Sequence, residues 1–302
     1  MLRIRYSEKS CRWRGLIIKN KNVIKEIWRV ICYPVLYYWM SFITVIAGVI
    51  IYILWLGFAA AREGQDAVFS PEEFEAVVNM PLLTLIACSL TFFILWLIFH
   101  REWTTENFWK GSKNIFIVSA LCAVLAIPLG MFTDVTLYLM RIREFLPWHD
   151  EMPSILSVNN LFLGIAATGI AAPMVHEVIF RGIVLRRLLE TPMKIPVAVF
   201  LQALMFAFIH FDMANGASAF ILGIALGVIY VKFRSIWPVI AVHITYDLGV
   251  IIQANFLCDV GLCWCVWDDI SGGVLTIISV VSLLILTLLL GLIMRMKKEV
   301  SH

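Results

Sequence analysis

Long apolar blocks alternate with short polar or charged connections along most of the chain. Each block approaches the length of about 20 residues that an α-helix needs to cross the hydrocarbon core of a bilayer. The pattern therefore predicts an all-α protein, a polytopic transmembrane helical bundle of about eight spans. The predicted spans run Val35–Ala59, Met80–Phe99, Ile115–Phe132, Leu161–Leu189, Ile195–Phe211, Gly216–Phe233, Ile236–Gln253 and Val274–Met294.

The composition agrees with this pattern. Hydrophobic residues make up 61% of the 302 residues and charged residues 15%, whereas about a quarter of an ordinary soluble domain is charged. The net charge of +3 is small and the basic residues cluster at particular connections, which indicates contact with membrane lipids and no nucleic-acid partner. The first 30 residues are polar and basic, so we expect no cleavable signal peptide.

Basic residues are unevenly distributed between the connections. The segment before the first span has nine Lys or Arg against two acidic residues, whereas residues 62–79 hold one basic and five acidic residues. By the positive-inside rule the N-terminus is cytoplasmic, and eight spans place the C-terminus on the same side. Arg141 and Arg143, on the predicted outer side, disagree mildly with this topology. We expect the membrane to be the cytoplasmic membrane of a bacterium or archaeon.

This topology predicts that a reporter enzyme active only outside the cytoplasm is inactive when it is fused after His302. The same reporter inserted into the acidic connection 62–79 serves as the positive control, because that connection is predicted to lie outside. Reporter activity after His302 would contradict the topology and would place the candidate site on the opposite side of the membrane.

Six of the seven cysteines fall into two groups. Cys32, Cys88 and Cys122 lie in or beside apolar segments, where a cysteine behaves as a small hydrophobic residue. Three others share one connection, and a disulfide from Cys258 to Cys263 or Cys265 is expected if that connection faces an oxidising compartment. A zinc site there would need a fourth ligand, and the sequence offers no obvious one.

Titratable side chains inside three predicted spans are the candidate functional residues. Placing a charge at the centre of a membrane helix costs about 2.5–3.5 kcal/mol on insertion scales, so such residues usually face the interior of a bundle. The candidates are His176, Glu177 and Arg181 in the fourth span, His210 in the fifth, and His243 and Asp247 in the seventh.

Each group also has a purely structural explanation. Glu177 and Arg181 are four residues apart, so they share one helix face and can pair merely to join helices. His243 and Asp247 have the same spacing, and a hydrogen bond between them would fix the imidazole tautomer. A lone His210 is more often an interhelical hydrogen-bonding residue than a catalyst.

Together, these residue types suit the attack of water on an amide. A carboxylate or an imidazole can take the proton from water, and neutral imidazoles can stabilise the developing oxyanion. We expect no cofactor, with a divalent metal such as zinc on His176, His210 and His243 as the alternative. The zinc-protease motif HExxH is excluded, because residues 178–180 after Glu177 are Val, Ile and Phe.

Three ordered motifs resemble those of the CAAX protease and bacteriocin-processing family, glutamate-type intramembrane proteases that include the type II CAAX prenyl endopeptidases. The family pattern EExxxR aligns with residues 176–181, FxxxH with Phe206–His210, and HxxxN or HxxxD with His243–Asp247, preceded by Trp237-Pro238. The resemblance covers Leu161–Gln253. It implies an α-helical membrane fold, a cavity that opens from the cytosolic side, and cleavage of peptides near a membrane-associated C-terminus or leader.

The resemblance also implies roles for individual residues. Those expected to be catalytic are Glu177, His210, His243, Asp247 and His176, and those expected to support the substrate or the structure are Arg181 and Phe206. One residue departs from the family: His176 stands where the first glutamate, commonly assigned to activate water, is expected. His176 then acts as the base, or Glu177 takes that role, or proteolysis is lost. We favour retained activity and expect His176→Glu to preserve or raise it.

The leading hypothesis is an intramembrane endopeptidase that hydrolyses small or membrane-associated peptides. A non-catalytic scaffold or chaperone that binds such peptides is the alternative, and a transporter is third, since no internal repeat is evident. The expected partners are membrane lipids and a peptide or small-protein substrate, and the oligomeric state stays open. The expected segments are a basic cytoplasmic segment 1–34, accessory spans 35–157, a catalytic core 158–256, and an outer loop with the last span 257–302.

Overall fold

The computed structural model describes residues 23–63, 78–105, 114–142, 161–210, 213–257, 267 and 270–296. Within these ranges the chain forms helices and no strand, which confirms the predicted all-α architecture. The helices are α1 (Val23–Glu63), α2 (Met80–Thr105), α3 (Ile115–Leu139), α4 (Leu161–Glu190), α5 (Ile195–Phe208), α6 (Met213–Phe233), α7 (Trp237–Ile252) and α8 (Gly272–Arg295).

Seven of these described helices are long and apolar enough to cross a membrane. The exception is α5, whose 14 residues span about 21 Å at 1.5 Å per residue, short of the ~30 Å hydrocarbon core. The span predicted to continue to Phe211 ends as a helix at Phe208. Hydropathy missed this end because the apolar run continues past the last helical residue.

Helix α4 lies at the centre of the bundle. It contacts α1, α2, α5, α6 and α7, while α8 packs on α3 at the periphery. Large apolar side chains of α1 and α8 face outward, among them Leu54, Phe58, Leu284 and Leu288. Such outward apolar faces suit contact with lipid, and the central helix is the one that carries the charged residues.

Two π-helical segments interrupt α4, at Ile165–Ala171 and Val178–Leu185. They lie on either side of the α-helical turn Ala172–Glu177. A π-helical turn widens the hydrogen-bonded ring by one residue and is frequent at functional sites. The widening changes which side chains face the bundle interior around His176 and Glu177, and a 3.6-residue periodicity does not predict it.

Small residues bring α5 and α6 close together. A Cβ added at Gly223 would lie 3.0 Å from both Cα and Cβ of Ala203 and 3.3 Å from Cδ1 of Phe206. Gly227, one turn later, is equally close to Val199, where an added Cβ would lie 2.8 Å from Cγ1. This small-xxx-small spacing allows the close backbone approach typical of membrane helix pairs. The approach positions Phe206 and the following residues of α5 against α4.

Replacing Gly223 by alanine is therefore expected to destabilise the bundle by about 1–3 kcal/mol, the usual range for an overpacked core. The measurement is the thermal unfolding midpoint of the purified protein in detergent. The matched control is Gly249→Ala on α7, where an added Cβ would meet no heavy atom within 4 Å. Equal midpoints for the two variants would contradict the close α5–α6 packing.

Cys32, Cys88 and Cys122 are free thiols, and Cys88 and Cys122 are buried among apolar side chains as expected. The predicted disulfide of Cys258 with Cys263 or Cys265 lies outside the described residues.

Candidate active site

Glu177 is fully buried on α4 and is the centre of the polar cluster. Its Oε1 accepts a hydrogen bond from Nη1 of Arg181 at 2.7 Å, which confirms the pairing predicted from the spacing of four residues. The same oxygen accepts a second hydrogen bond, also 2.7 Å long, from Nδ1 of His243 on α7. A carboxylate without a proton can only accept, so Nδ1 of His243 carries the hydrogen.

Asp247 does not fix the tautomer of His243. Its Oδ2 lies 3.6 Å from Nε2 of His243, beyond hydrogen-bonding distance. The hydrogen bond expected from the spacing of these two residues is therefore not formed, although Nε2 of His243 faces the carboxylate of Asp247. Asp247 lies beside Nε2 with its side chain 28% exposed.

His176, the residue before Glu177, is enclosed by aromatic rings. The ring centroids of Tyr37, Phe206, His243 and His210 lie 5.0, 5.6, 5.7 and 5.8 Å from that of His176. Both ring nitrogens of His176 are buried, and no described residue forms a hydrogen bond with either. A buried polar atom without a partner costs about 1–3 kcal/mol, so water or a substrate amide would be favoured beside His176.

His210 follows the last residue of α5 by two positions. Its Nδ1 lies 2.9 Å from the carbonyl oxygen of Phe206, and a carbonyl only accepts, so Nδ1–H is the donor. Phe206 is fully buried and lies beneath Arg181, whose guanidinium carbon is 4.8 Å from the ring centroid. Phe206 thereby connects the ion pair on α4 with the histidines.

The structure thus brings the predicted residues of α4, α5 and α7 into one cluster. The described residues contain no group of three or more His, Cys, Asp or Glu placed to hold a metal ion. The side chains gathered in this cluster offer imidazole and carboxylate groups, which can exchange protons with water.

Two residues near the cluster were missed in the sequence. Tyr37 of α1 packs on His176, but it lies in an apolar aromatic run that gives no functional signal. Gln202 of α5 is fully buried, and no described residue bonds its amide oxygen or nitrogen. Gln202 precedes Phe206 by four residues and His210 by eight. This spacing places its amide on the same helix face as Phe206, so the sequence could have identified Gln202 as a further candidate.

Residues 158–249 match the family model described as Type II CAAX prenyl endopeptidase Rce1-like. This segment is similar to those membrane peptidases. The match confirms the resemblance predicted from the three motifs, and it spans α4 to α7, the helices that hold Glu177, Arg181, His210 and His243. Neither the curated proteins nor the solved structures include a match to the chain. With its long apolar helices, the chain is an integral, multi-pass membrane protein, and its residues 158–249 are similar to membrane peptidases of the CAAX-protease type.

Proposed function

We propose that this protein is an intramembrane endopeptidase that hydrolyses a peptide bond of a small or membrane-associated peptide. The observation that supports this function most directly is the hydrogen bond between Glu177 and His243, 2.7 Å long, inside the helical bundle. A carboxylate that holds one imidazole nitrogen leaves the other nitrogen as the base, as in hydrolases that activate a nucleophile with histidine. The match of residues 158–249 to a peptidase family adds independent support.

The three histidines have different surroundings, so we assign them different roles. In neutral His243 and His210, Nδ1 carries the hydrogen, so Nε2 is the acceptor nitrogen in each ring. Either Nε2 can hold a water molecule and take its proton. His176 has no protein partner for its ring nitrogens among the described residues, so its N–H can donate to the carbonyl oxygen of the substrate.

The proposed reaction has two proton transfers. Nε2 of His210 accepts a hydrogen bond from the attacking water and orients it. Nε2 of His243 removes a proton from this water while the water oxygen attacks the peptide carbonyl, and Glu177 stabilises the resulting imidazolium. The carbonyl oxygen gains negative charge, which the N–H of His176 stabilises. The imidazolium then returns its proton to the amide nitrogen as the C–N bond breaks, which releases an amine and a carboxylic acid; the acid then loses its proton to solvent water or to the amine.

Arg181 supports the site without contacting the substrate. Its Nη1 is bound to Glu177, and its Nη2 donates to the carbonyl oxygen of Gly223 at 3.3 Å. The guanidinium compensates the buried charge of Glu177 and ties α4 to α6. Removing either member of such a buried pair is strongly destabilising, since the other charge remains without a partner.

The test is a comparison of the peptides in cells that express wild-type protein or the His210→Ala variant at equal membrane levels. Wild-type cells are expected to contain truncated peptides with new termini that the variant cells lack, since the variant has lost one of the two acceptor imidazoles. Candidate substrates should be small or should have a membrane-associated end. Identical peptide populations in the two strains would contradict the proposed endopeptidase.

A non-catalytic peptide-binding scaffold is the second candidate, because His176 occupies the position of the first glutamate in the family motif. Under that hypothesis the wild-type protein binds intact peptides. Mass spectrometry of peptides that copurify with the protein in detergent distinguishes the two functions. Intact peptides recovered equally with wild-type protein and with His210→Ala would favour the scaffold.

A further inference from the structure

We infer that Tyr37 of α1 is a positioning residue for His176, so that a helix outside the segment matched to the family completes the active site. This inference rests on the proposed function for its effect on catalysis. The claim that Tyr37 holds the ring of His176 in place rests only on the contacts in the structure.

The first observation is the way in which His176 is held. No described residue forms a hydrogen bond with its nitrogens, so the orientation of the ring depends on the rings packed around it. Tyr37 is the nearest of the four, with centroids 5.0 Å apart and an interplanar angle of 83°. This edge-to-face arrangement is a preferred geometry for aromatic pairs. Phe206 and His210 approach from α5 and His243 from α7, and Tyr37 alone of the four lies on α1.

The second observation is that α1 contacts α4 at another point on the face that carries Tyr37. One turn earlier on α1, the ring of Tyr33 lies 5.2 Å from the guanidinium carbon of Arg187, near the end of α4. A cation above an aromatic face is attracted to it. These contacts hold α1 against α4 on the side where Tyr37 meets His176.

The two contacts between α1 and α4 involve residues on one face of α1. Tyr33 and Tyr37 are four residues apart and share one face of α1. His176 and Arg187 lie on α4, with Arg187 nearer its C-terminal end. This face of α1 therefore contacts α4 at two points: Tyr33 near the C-terminal end of α4, and Tyr37 at the candidate site. We conclude that the accessory helix contributes a wall of the site and is more than a peripheral anchor.

Tyr52 provides a control that separates a positioning role of Tyr37 from a merely structural one. Tyr52 is on the same helix, is 2% exposed and stacks on Trp55 with centroids 5.9 Å apart. It is 15 residues from Tyr37, or about 22 Å along the helix axis. Tyr52→Ala therefore removes a buried tyrosine from α1 without touching the site.

The kinetic test uses purified protein in proteoliposomes and a peptide identified by the comparison of cellular peptides. Tyr37→Ala is expected to lower kcat about 10- to 100-fold with KM little changed, since a small displacement of a reacting group has effects of this order. Tyr37→Phe keeps the ring and is expected to retain the wild-type kcat, as is Tyr52→Ala. A wild-type kcat in Tyr37→Ala, or an equal loss in Tyr52→Ala, would overturn the inference.

The spectroscopic test needs no substrate. Protein labelled with ¹³C and ¹⁵N in histidine gives ring signals, and the signal of His176 is the one lost in His176→Phe. We expect this signal to be broadened or split in Tyr37→Ala and to stay single and sharp in Tyr37→Phe and Tyr52→Ala. A single sharp signal in Tyr37→Ala, shifted or not, would overturn the positioning role. If wild-type protein cleaves no peptide, the proposed function fails, while this spectrum still decides whether Tyr37 holds His176.

Discussion

Replacing Glu177 by alanine is expected to abolish peptide hydrolysis and to destabilise the protein by about 3–5 kcal/mol, the range for breaking a buried ion pair. Oε1 of Glu177 accepts from both Arg181 and His243 at 2.7 Å. Without the carboxylate, the Arg181 charge is buried without compensation and His243 loses the group that orients its ring. Loss of a positioned general base lowers the rate by about 10²- to 10⁴-fold. The measurements are the thermal midpoint in detergent and the rate of peptide cleavage.

A double variant separates the two effects. Glu177→Gln combined with Arg181→Met removes both buried charges and keeps similar side-chain volumes, a change that is often tolerated in protein interiors. We expect its thermal midpoint to lie closer to that of the wild type than that of Glu177→Ala, while hydrolysis stays lost. Glu190→Gln is the matched control on the same helix, since Glu190 is 62% exposed. Wild-type hydrolysis by the double variant would exclude Glu177 from the mechanism.

Replacing His176 by phenylalanine is expected to lower kcat about 10²- to 10³-fold, the usual effect of removing one oxyanion donor. Phenylalanine keeps an aromatic ring among Tyr37, Phe206, His210 and His243, so the packing is largely retained. It removes the two ring nitrogens that have no protein partner among the described residues. His176→Gln is expected to restore part of the rate, because its amide supplies an N–H donor.

The proposed donor role of His176 leads to an expectation for His176→Glu that differs from the one drawn from the sequence. The sequence predicts that a carboxylate at position 176 preserves or raises activity, because it restores the pair of acidic residues in the family motif. The contacts around His176 are aromatic rings, and Nη1 of Arg181 already binds Glu177. An ionised carboxylate there cannot donate a hydrogen bond to the carbonyl oxygen of the substrate, so His176→Glu is expected to impair hydrolysis under the donor role. Equal or higher activity would contradict the donor role and would indicate that residue 176 acts on the proton of water.

Local periodicity predicted those features of the fold and site that depend on neighbouring residues. The apolar blocks located the eight helices, and the spacing of four residues located the pair Glu177 and Arg181 on one face of α4. The same rule placed Asp247 beside His243, where Oδ2 lies 3.6 Å from Nε2, just beyond hydrogen-bonding distance. The hydrogen bond of Nδ1 of His243 is to Glu177, which is 66 residues away in sequence. A tertiary contact of this kind leaves no local pattern.

Features that depend on backbone irregularity or on ordinary apolar packing could not be predicted. The π-helical segments on either side of the turn Ala172–Glu177 alter the helical register without a change in hydropathy. Tyr37 is an aromatic residue in an apolar helix, as are its neighbours Tyr38 and Trp39. Yet the ring of Tyr37 packs on His176, while Trp39 is 56% exposed. Which face of α1 meets α4 depends on the packing of the whole bundle.

The most direct test of peptide hydrolysis at this cluster follows the oxygen of water into the product. Purified protein in proteoliposomes is incubated with the identified peptide in water enriched in ¹⁸O, and the new carboxylate is analysed by mass spectrometry. We expect the wild type and Glu190→Gln to release a product with one ¹⁸O atom from each cleavage event. Glu177→Gln with Arg181→Met, and His210→Ala, are expected to release almost none. No labelled product from the wild type, or labelled product from these two variants at the wild-type rate, would contradict hydrolysis by this cluster.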